Sequence, residues 1–216
     1  MSRPATVRPW LYWSLYSIHR TFLKLYFASI TIHGREHLPE QGPLILASKH
    51  FSRWDPLVLS LLSQEPLRFM TNANQFEGIQ GWMIERLGAF PVNLSRPSVA
   101  SLRCAIELLQ TGHKLVIFPE GGIVRDQPLR NFKTGLARLV LQAEENGDLK
   151  VPILPIALSY SPIASPRANV SIRISAPLYT SAYRQENDKQ TADLITQALY
   201  SKILEGLSSK GLNSHL

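Results

Sequence analysis

Short apolar runs alternate along the chain with longer segments of helical periodicity. The apolar runs predict strands at Thr31–His33, Leu44–Ser48, Leu67–Thr71, Ala89–Val92, Leu115–Phe118, Val151–Tyr160 and Val170–Ser175. The helical spacing predicts helices over Leu57–Ser63, Gly78–Leu87, Ser98–Gln110, Phe132–Glu145 and residues 188–207. This alternation favours an α/β domain with a central, largely parallel sheet and crossover helices. Functional residues in such sheets gather beyond the carboxyl ends of the strands, which here are the segments after Ser48, Val92 and Phe118.

Proline positions add two local expectations. Asp55 followed by Pro56 is typical of a helix start, with Asp55 as the N-cap and Pro56 as the first helical residue. Pro152 and Pro155 interrupt the apolar run at Val151–Tyr160. Because proline cannot donate to a sheet ladder, they predict an edge strand or a bulge there.

The N-terminal segment is both basic and aromatic. It has five basic residues and no acid before Glu36, and Trp, Tyr, Phe, Leu and Ile fill most of the remainder; the basic residues are Arg3, Arg8, Arg20, Lys24 and Arg35. Charge at Arg20 and Lys24 would cost roughly 2.5–3.5 kcal/mol per residue at a bilayer centre, which argues against a spanning helix. A secretory signal peptide also fits poorly, since no clean apolar stretch precedes a cleavage site. The segment predicts an amphipathic interfacial helix, with an aromatic core helix as the alternative.

Composition narrows the class of protein. The chain carries 23 Lys and Arg against 16 Asp and Glu, a formal net charge of +7, which indicates a phosphate-bearing partner such as nucleic acid, an anionic membrane or a phosphorylated small molecule. A hydrophobic fraction of 44% excludes bulk disorder. Cys104 is the single cysteine, so an intramolecular disulfide and cysteine-based metal sites are excluded, and a reducing compartment is favoured. The histidine spacings predict neither a metal site nor a redox cofactor.

Two segments carry candidate chemistry. His50 and Asp55 lie five apart across a strand-to-helix turn, where a carboxylate can orient a histidine that acts as a base. The alternative is that His50 is an ordinary loop histidine and Asp55 only a helix cap. The run from Phe118 to Gly122 places Glu120 and two glycines at the end of an apolar strand, where a ligand can approach the backbone closely. The alternative is a plain turn with an exposed glutamate.

Four segments, in this order along the chain, resemble the glycerolipid acyltransferase family. Its best-known members are the 1-acylglycerol-3-phosphate (lysophosphatidate) acyltransferases. The first family block is His, four residues and Asp, present as His50 and Asp55, and the third is Phe-Pro-Glu-Gly, present as Phe118 to Gly121. Gly88 to Arg96 and Val151 to Ile156 are similar to the second and fourth blocks.

The resemblance implies acyl transfer from coenzyme A or acyl carrier protein to a hydroxyl of a glycerol phosphate derivative. His50 would remove the proton of the acceptor hydroxyl, and Asp55 would orient His50. The sequence lacks a Gly-x-Ser-x-Gly elbow, which favours direct transfer without an acyl-enzyme. The resemblance also implies substrate-binding roles for a set of loop residues, namely Ser52, Arg96, Glu120, Gly121, Arg125 and Lys133. A phosphate could be held by Arg125, Arg130 or Lys133, since guanidinium groups grip phosphate with paired hydrogen bonds.

Three departures from the family pattern leave the acceptor open. Lys49 replaces an Asn that commonly precedes the family histidine, and Leu94 stands where the second block usually has an Arg. Gly122 to Val124 replace the usual residues after Phe-Pro-Glu-Gly. The acceptor is therefore lysophosphatidate, another lysophospholipid or a different lipid hydroxyl. A transacylase without a thioester donor and a non-enzymatic membrane- or nucleic-acid-binding protein are the alternative functions.

The expected organisation follows from these interpretations. Residues 1–32 form an interfacial segment and residues 33–216 the acyltransferase domain. The expected location is the cytoplasmic face of a membrane, with peripheral, monotopic attachment to anionic lipid. The expected partners are this lipid surface, acyl-CoA or acyl carrier protein as co-substrate, and a lysophospholipid, with no nucleic acid, no metal and no further cofactor.

Overall fold

A computed structural model describes residues 7–93, 98–145, 147 and 149–209. Seven strands form one sheet: β1 (Ser29–His33), β2 (Leu44–Ser48), β3 (Arg68–Asn72), β4 (Ala89–Val92), β5 (Lys114–Ile117), β6 (Ile153–Ser161) and β7 (Asn169–Ile174). The α-helices are α1 (Pro9–Tyr26), α2 (Asp55–Leu59), α3 (Gly78–Arg86), α4 (Val99–Gln110), α5 (Gly135–Ala143) and α6 (Asp188–Ser208).

The strand order is β1-β7-β6-β2-β5-β3-β4. Every neighbouring pair is parallel except β6 and β7, which are antiparallel. A short connection joins β6 to β7, whereas parallel neighbours need longer crossovers. The predicted α/β fold with a largely parallel sheet is confirmed.

The two faces of the sheet carry separate apolar clusters. Ile45 and Ala47 of β2 belong to the cluster that α4, α5 and α6 cover. Leu44 and Leu46, which alternate with them, belong to the cluster that α1 and α2 cover. Helices on both faces explain why β2 is apolar throughout instead of alternating with polar residues.

The prediction of an edge strand at Pro152 and Pro155 is wrong, whereas the alternative of a bulge agrees with the strand pairing. β6 lies inside the sheet, with β2 on one side and β7 on the other. Pro152 precedes the strand, and Pro155 stands one residue before Ile156, where the ladder with β7 begins. The Pro155 carbonyl accepts from the amide of Ser175 (3.0 Å), and pairing resumes between Ile153 and Leu178 with one more residue on the partner segment than on β6. This offset is a bulge beside Pro155, where no N–H is available for a regular ladder.

Helix α1 occupies most of the basic, aromatic segment. Its last turn is anchored in the core, because Leu23 and the following Phe27 are buried. The remaining large side chains of α1 that stay exposed are Trp10, Trp13, Ile18, Phe22 and Leu25. Within the described part of the chain, the helices fall short of the length and apolarity that crossing a membrane requires. The expected boundary between residues 32 and 33 falls inside β1, a strand that pairs with β7.

Candidate active site

His50 and Asp55 meet in the turn that follows β2. The imidazole Nδ1 lies 2.8 Å from Asp55 Oδ2. The Asp55 side chain is fully buried, whereas the His50 side chain keeps 17% of its surface exposed. A carboxylate at Nδ1 favours the tautomer with the proton on Nδ1, which leaves the lone pair on Nε2. The pair therefore has the arrangement of an oriented base.

Asp55 does not cap the helix, contrary to the expectation. It is the first residue of α2, and Pro56 is the second. Its Oδ2 accepts hydrogen bonds from the backbone amides of Phe51 (2.6 Å) and Ser52 (2.8 Å) as well as contacting His50. The carboxylate is turned back into the loop because these three donors surround it, so it folds the loop instead of starting the helix.

Phe118 holds the plane of the imidazole. Its ring stacks on His50, with ring centroids 3.9 Å apart and an interplanar angle of 17°. Phe118 directly follows β5, which is the parallel neighbour of β2. The sequence motif contains Phe118, but the residue was not among the predicted site residues, because an aromatic at a strand end is usually part of the core.

Glu120 connects the loops that follow β2 and β5. Its carboxylate is fully buried and accepts hydrogen bonds from the backbone amides of His50 (2.8 Å) and Arg130 (2.9 Å). This arrangement also excludes the alternative of an exposed glutamate in a plain turn. It does not fit the expected contact between Glu120 and acceptor hydroxyls, because both carboxylate oxygens already serve the protein.

Lys49 completes this connection. Its ammonium group is buried, lies 3.5 Å from Glu120 Oε2 and donates to the Val124 carbonyl (3.2 Å). The Val124 amide in turn donates to the His50 carbonyl (2.9 Å). The replacement of the family Asn by Lys49 thus brings a buried cation that compensates the charge of Glu120.

Ser52 and Gly121, two of the predicted substrate-binding residues, shape the loops that carry them. Ser52 is buried, and its Oγ accepts from the amide of Trp54 (3.3 Å), so the hydroxyl faces the loop interior. Gly121 has φ +72°, and a Cβ added there would stand 3.8 Å from Lys133 Nζ. This left-handed turn suits glycine and brings the backbone close to the lysine.

Three cationic side chains stand at the exposed side of these loops. Arg125, Arg130 and Lys133 are all exposed. The Arg125 Nε donates to the Phe51 carbonyl (3.1 Å), and the backbone amide of Lys133 donates to the Pro119 carbonyl (3.4 Å). The predicted Arg96 and the departure at Leu94 lie outside the described residues.

Tyr160 is a site residue that the sequence analysis missed. Its hydroxyl donates to Asp55 Oδ1 over 2.7 Å inside the protein. Burial, together with the neighbouring Asp55 charge, raises the pKa of the Tyr160 phenol far above its ordinary value, so the phenol keeps its proton and remains a donor. A signal did exist: Ile156, Leu158 and Tyr160 alternate on one buried face, and a buried tyrosine hydroxyl needs a partner.

The described residues do not bring together three His, Cys, Asp or Glu side chains in a way that would hold a metal ion.

The sequence model of a family described as Acyltransferase matches residues 29–159, more than half of the chain. The chain belongs to this family. A 1-acyl-sn-glycerol-3-phosphate acyltransferase of Streptococcus pneumoniae is 26% identical over 165 residues, which are 73% of this chain and 58% of the relative.

Two further relatives and a solved structure are similar. The chloroplastic 1-acyl-sn-glycerol-3-phosphate acyltransferase BAT2 of Brassica napus is 28% identical over 194 residues, covering 84% of this chain and 52% of the relative. A lyso-ornithine lipid O-acyltransferase of Pseudomonas aeruginosa is 30% identical over 120 residues, covering 55% and 43%. The chain thus spans about half the length of these curated relatives. The crystal structure of the 1-acyl-sn-glycerophosphate acyltransferase PlsC from Thermotoga maritima shares the fold, with a TM-score of 0.69, 20% identity and coverage of 92% of this chain and 81% of that one.

Glu120→Gln is expected to destabilise the protein by about 3 kcal/mol, because it removes the charge that compensates buried Lys49 and turns an amide NH₂ toward a backbone donor. Urea unfolding followed by circular dichroism measures the change. Glu107→Gln, on the exposed side of α4, is the control and is expected to change stability by less than about 0.5 kcal/mol. Equal stability of the two variants would contradict the conclusion that the Glu120 carboxylate stabilises the fold.

Proposed function

We propose that the chain transfers a fatty acyl group from acyl-CoA or acyl carrier protein to the free hydroxyl of lysophosphatidate. The observation that carries this proposal is the 2.8 Å contact between His50 Nδ1 and the buried carboxylate of Asp55, in a chain that belongs to the acyltransferase family. The relatives named as 1-acyl-sn-glycerol-3-phosphate acyltransferases support the choice of acceptor.

The reaction is a single displacement. His50 Nε2 accepts the proton of the acceptor hydroxyl while the hydroxyl oxygen forms a bond to the thioester carbonyl carbon. The carbon–sulfur bond then breaks, and the thiolate leaves and takes up the proton from the imidazolium, which regenerates the base. Asp55 stabilises the imidazolium through Nδ1. A thioester is already activated, so a positioned base, worth about 10²–10⁴-fold, and alignment of the two substrates supply the acceleration.

The acceptor phosphate binds to the cationic side chains on the exposed side of the loops. Arg125, Arg130 and Lys133 are exposed next to the loop that carries His50, and the turn at Gly121 brings Lys133 Nζ near the backbone. The buried Glu120 acts on the substrate only indirectly, by holding the backbone of His50 and Arg130.

A different acceptor is the second candidate. Val124, which occupies part of the stretch that departs from the family pattern, is buried, and Ile123 beside it is 38% exposed. Apolar side chains there favour a less charged headgroup, and one relative is named a lyso-ornithine lipid O-acyltransferase. The chemistry is unchanged in this case, and only the acceptor pocket differs.

We also propose peripheral attachment to a membrane through α1. Its exposed Trp10 and Trp13 suit the headgroup level, and Arg8, Arg20 and Lys24 suit anionic lipid. The same helix reaches the active site at its other end. The Tyr26 ring packs at a tilt of 36° against Trp54, the residue before Asp55, with ring centroids 4.4 Å apart. Lipid substrates would thus be presented beside the catalytic loop.

His50→Ala is expected to lower acyl transfer by about 10²–10⁴-fold without unfolding the protein, since it removes the base. The measurement is transfer by purified protein, with long-chain acyl-CoA and acyl carrier protein thioesters offered separately. The acceptors are lysophosphatidate, glycerol 3-phosphate and a neutral-headgroup lysophospholipid. His113→Ala is the control, because His113 precedes the amino-terminal end of β5, whereas His50 follows the carboxyl end of the parallel strand β2.

Each outcome of this assay has a defined meaning. If His50→Ala kept most of the wild-type rate of acyl transfer, the mechanism would be wrong. Turnover on the neutral acceptor alone would replace lysophosphatidate by the second candidate. In a further incubation, acyl transfer from a phospholipid donor in the absence of any thioester would indicate a transacylase.

Replacing Trp10 and Trp13 together by Glu is expected to reduce binding to anionic vesicles at least about tenfold, because it puts charge where the aromatic rings meet lipid. Cosedimentation with vesicles measures binding, and turnover in detergent is expected to persist. A matched control replaces Leu194 and Tyr179 by Glu; both are exposed and lie outside α1. Unchanged sedimentation of the tryptophan variant would refute attachment through α1.

A further inference from the structure

The Asp55 carboxylate has a partner on each oxygen. Oδ2 accepts from His50 Nδ1 and from the amides of Phe51 and Ser52, and Oδ1 accepts from the Tyr160 hydroxyl. The donors to Oδ2 come from Asp55's own loop, whereas Tyr160 belongs to the distant strand β6. The hydrogen bond from Tyr160 thus ties the orientation of the carboxylate to the sheet.

The fold places Tyr160 beside the catalytic loop. β6 pairs with β2 as far as Ile156, which is opposite Ser48, and then continues to Ser161. Tyr160 therefore stands next to the turn into which β2 runs. Its ring is buried between Phe51, at 5.7 Å between centroids, and Phe27, at 5.9 Å. These contacts fix the ring, so its hydroxyl has little freedom to leave Asp55.

We propose that Tyr160 is a positioning residue for His50: its hydroxyl holds the Asp55 carboxylate in the rotation that directs Oδ2 at Nδ1, and it takes up part of the carboxylate's negative charge. This inference rests on the proposed function. It predicts that the loss of the hydroxyl affects the acyl-transfer step much more than substrate binding.

The charged side chains around His50 and Asp55 contact other groups, which leaves the Tyr160 hydroxyl to act on the Asp55 carboxylate. Glu120 and Lys49, on the β5 side, are paired with each other. Arg125 lies on the solvent side, bound to the Phe51 carbonyl and with its guanidinium 6.0 Å from the Phe51 ring. Phe27, the residue that follows α1, adds an uncharged side chain to the packing around Tyr160.

Tyr160→Phe keeps the ring and removes the hydroxyl. We expect kcat to fall about 10- to 100-fold, the scale of a hydrogen bond to a charged group, with KM changed less than about threefold.

A purely structural role would lower kcat to the same extent whether or not residue 55 carries a carboxylate. Tyr183→Phe is the matched control, since Tyr183 packs against the cluster on the other face of the sheet, and it is expected to leave kcat and KM unchanged. In an Asp55→Asn background, Tyr160→Phe is expected to change residual kcat less than about twofold, because the positioned carboxylate is already absent. Circular dichroism melting verifies that each variant is folded.

The outcomes separate this inference from the proposed function. Active wild-type protein, with an unchanged kcat in Tyr160→Phe, overturns the role of Tyr160 alone. A fall in kcat of equal size in the wild-type and Asp55→Asn backgrounds overturns it too, because the effect then bypasses Asp55. Wild-type protein that transfers no acyl group from any thioester overturns the proposed function and, with it, this role.

Discussion

An ionised carboxylate that is fully withdrawn from water must be compensated by hydrogen bonds and opposite charge, and Asp55 is such a group. Its donors come from its own loop and from β6, so the requirement of one side chain shapes the turn after β2 and fixes its distance from the sheet. His50 takes its orientation from the same carboxylate. The stability of the loop and the alignment of the base thus have a single origin.

Glu120, in the loop after the neighbouring strand β5, is also buried and also needs hydrogen bonds and an opposite charge. β2 and β5 are parallel neighbours, so the loops that follow them leave the sheet side by side. Glu120 and Lys49 join these loops below the surface, and Phe118 covers the imidazole. The carboxylates of Asp55 and Glu120 are both buried, and they hold the framework of the two loops.

The sequence was sufficient for the order of the elements, because helical and strand periodicity differ clearly in this chain. It was also sufficient to bring His50 and Asp55 into one turn. It failed to place β6 inside the sheet, since the tolerance of a strand for proline depends on which neighbour the residue faces. It failed for the burial of Glu120 and for Tyr160, because the partners of these side chains come from segments distant in the chain, and linear spacing does not contain that information.

In the proposed reaction, His50 acts on the acceptor hydroxyl without an acylated protein side chain. Intact-protein mass spectrometry tests this step, after incubation with a long-chain acyl thioester in the absence of acceptor and rapid acid quenching. We expect an unchanged protein mass, and full transfer once acceptor is added. A mass increase of one acyl chain that disappears on addition of acceptor would contradict it, and would assign the first step to a nucleophile of the protein.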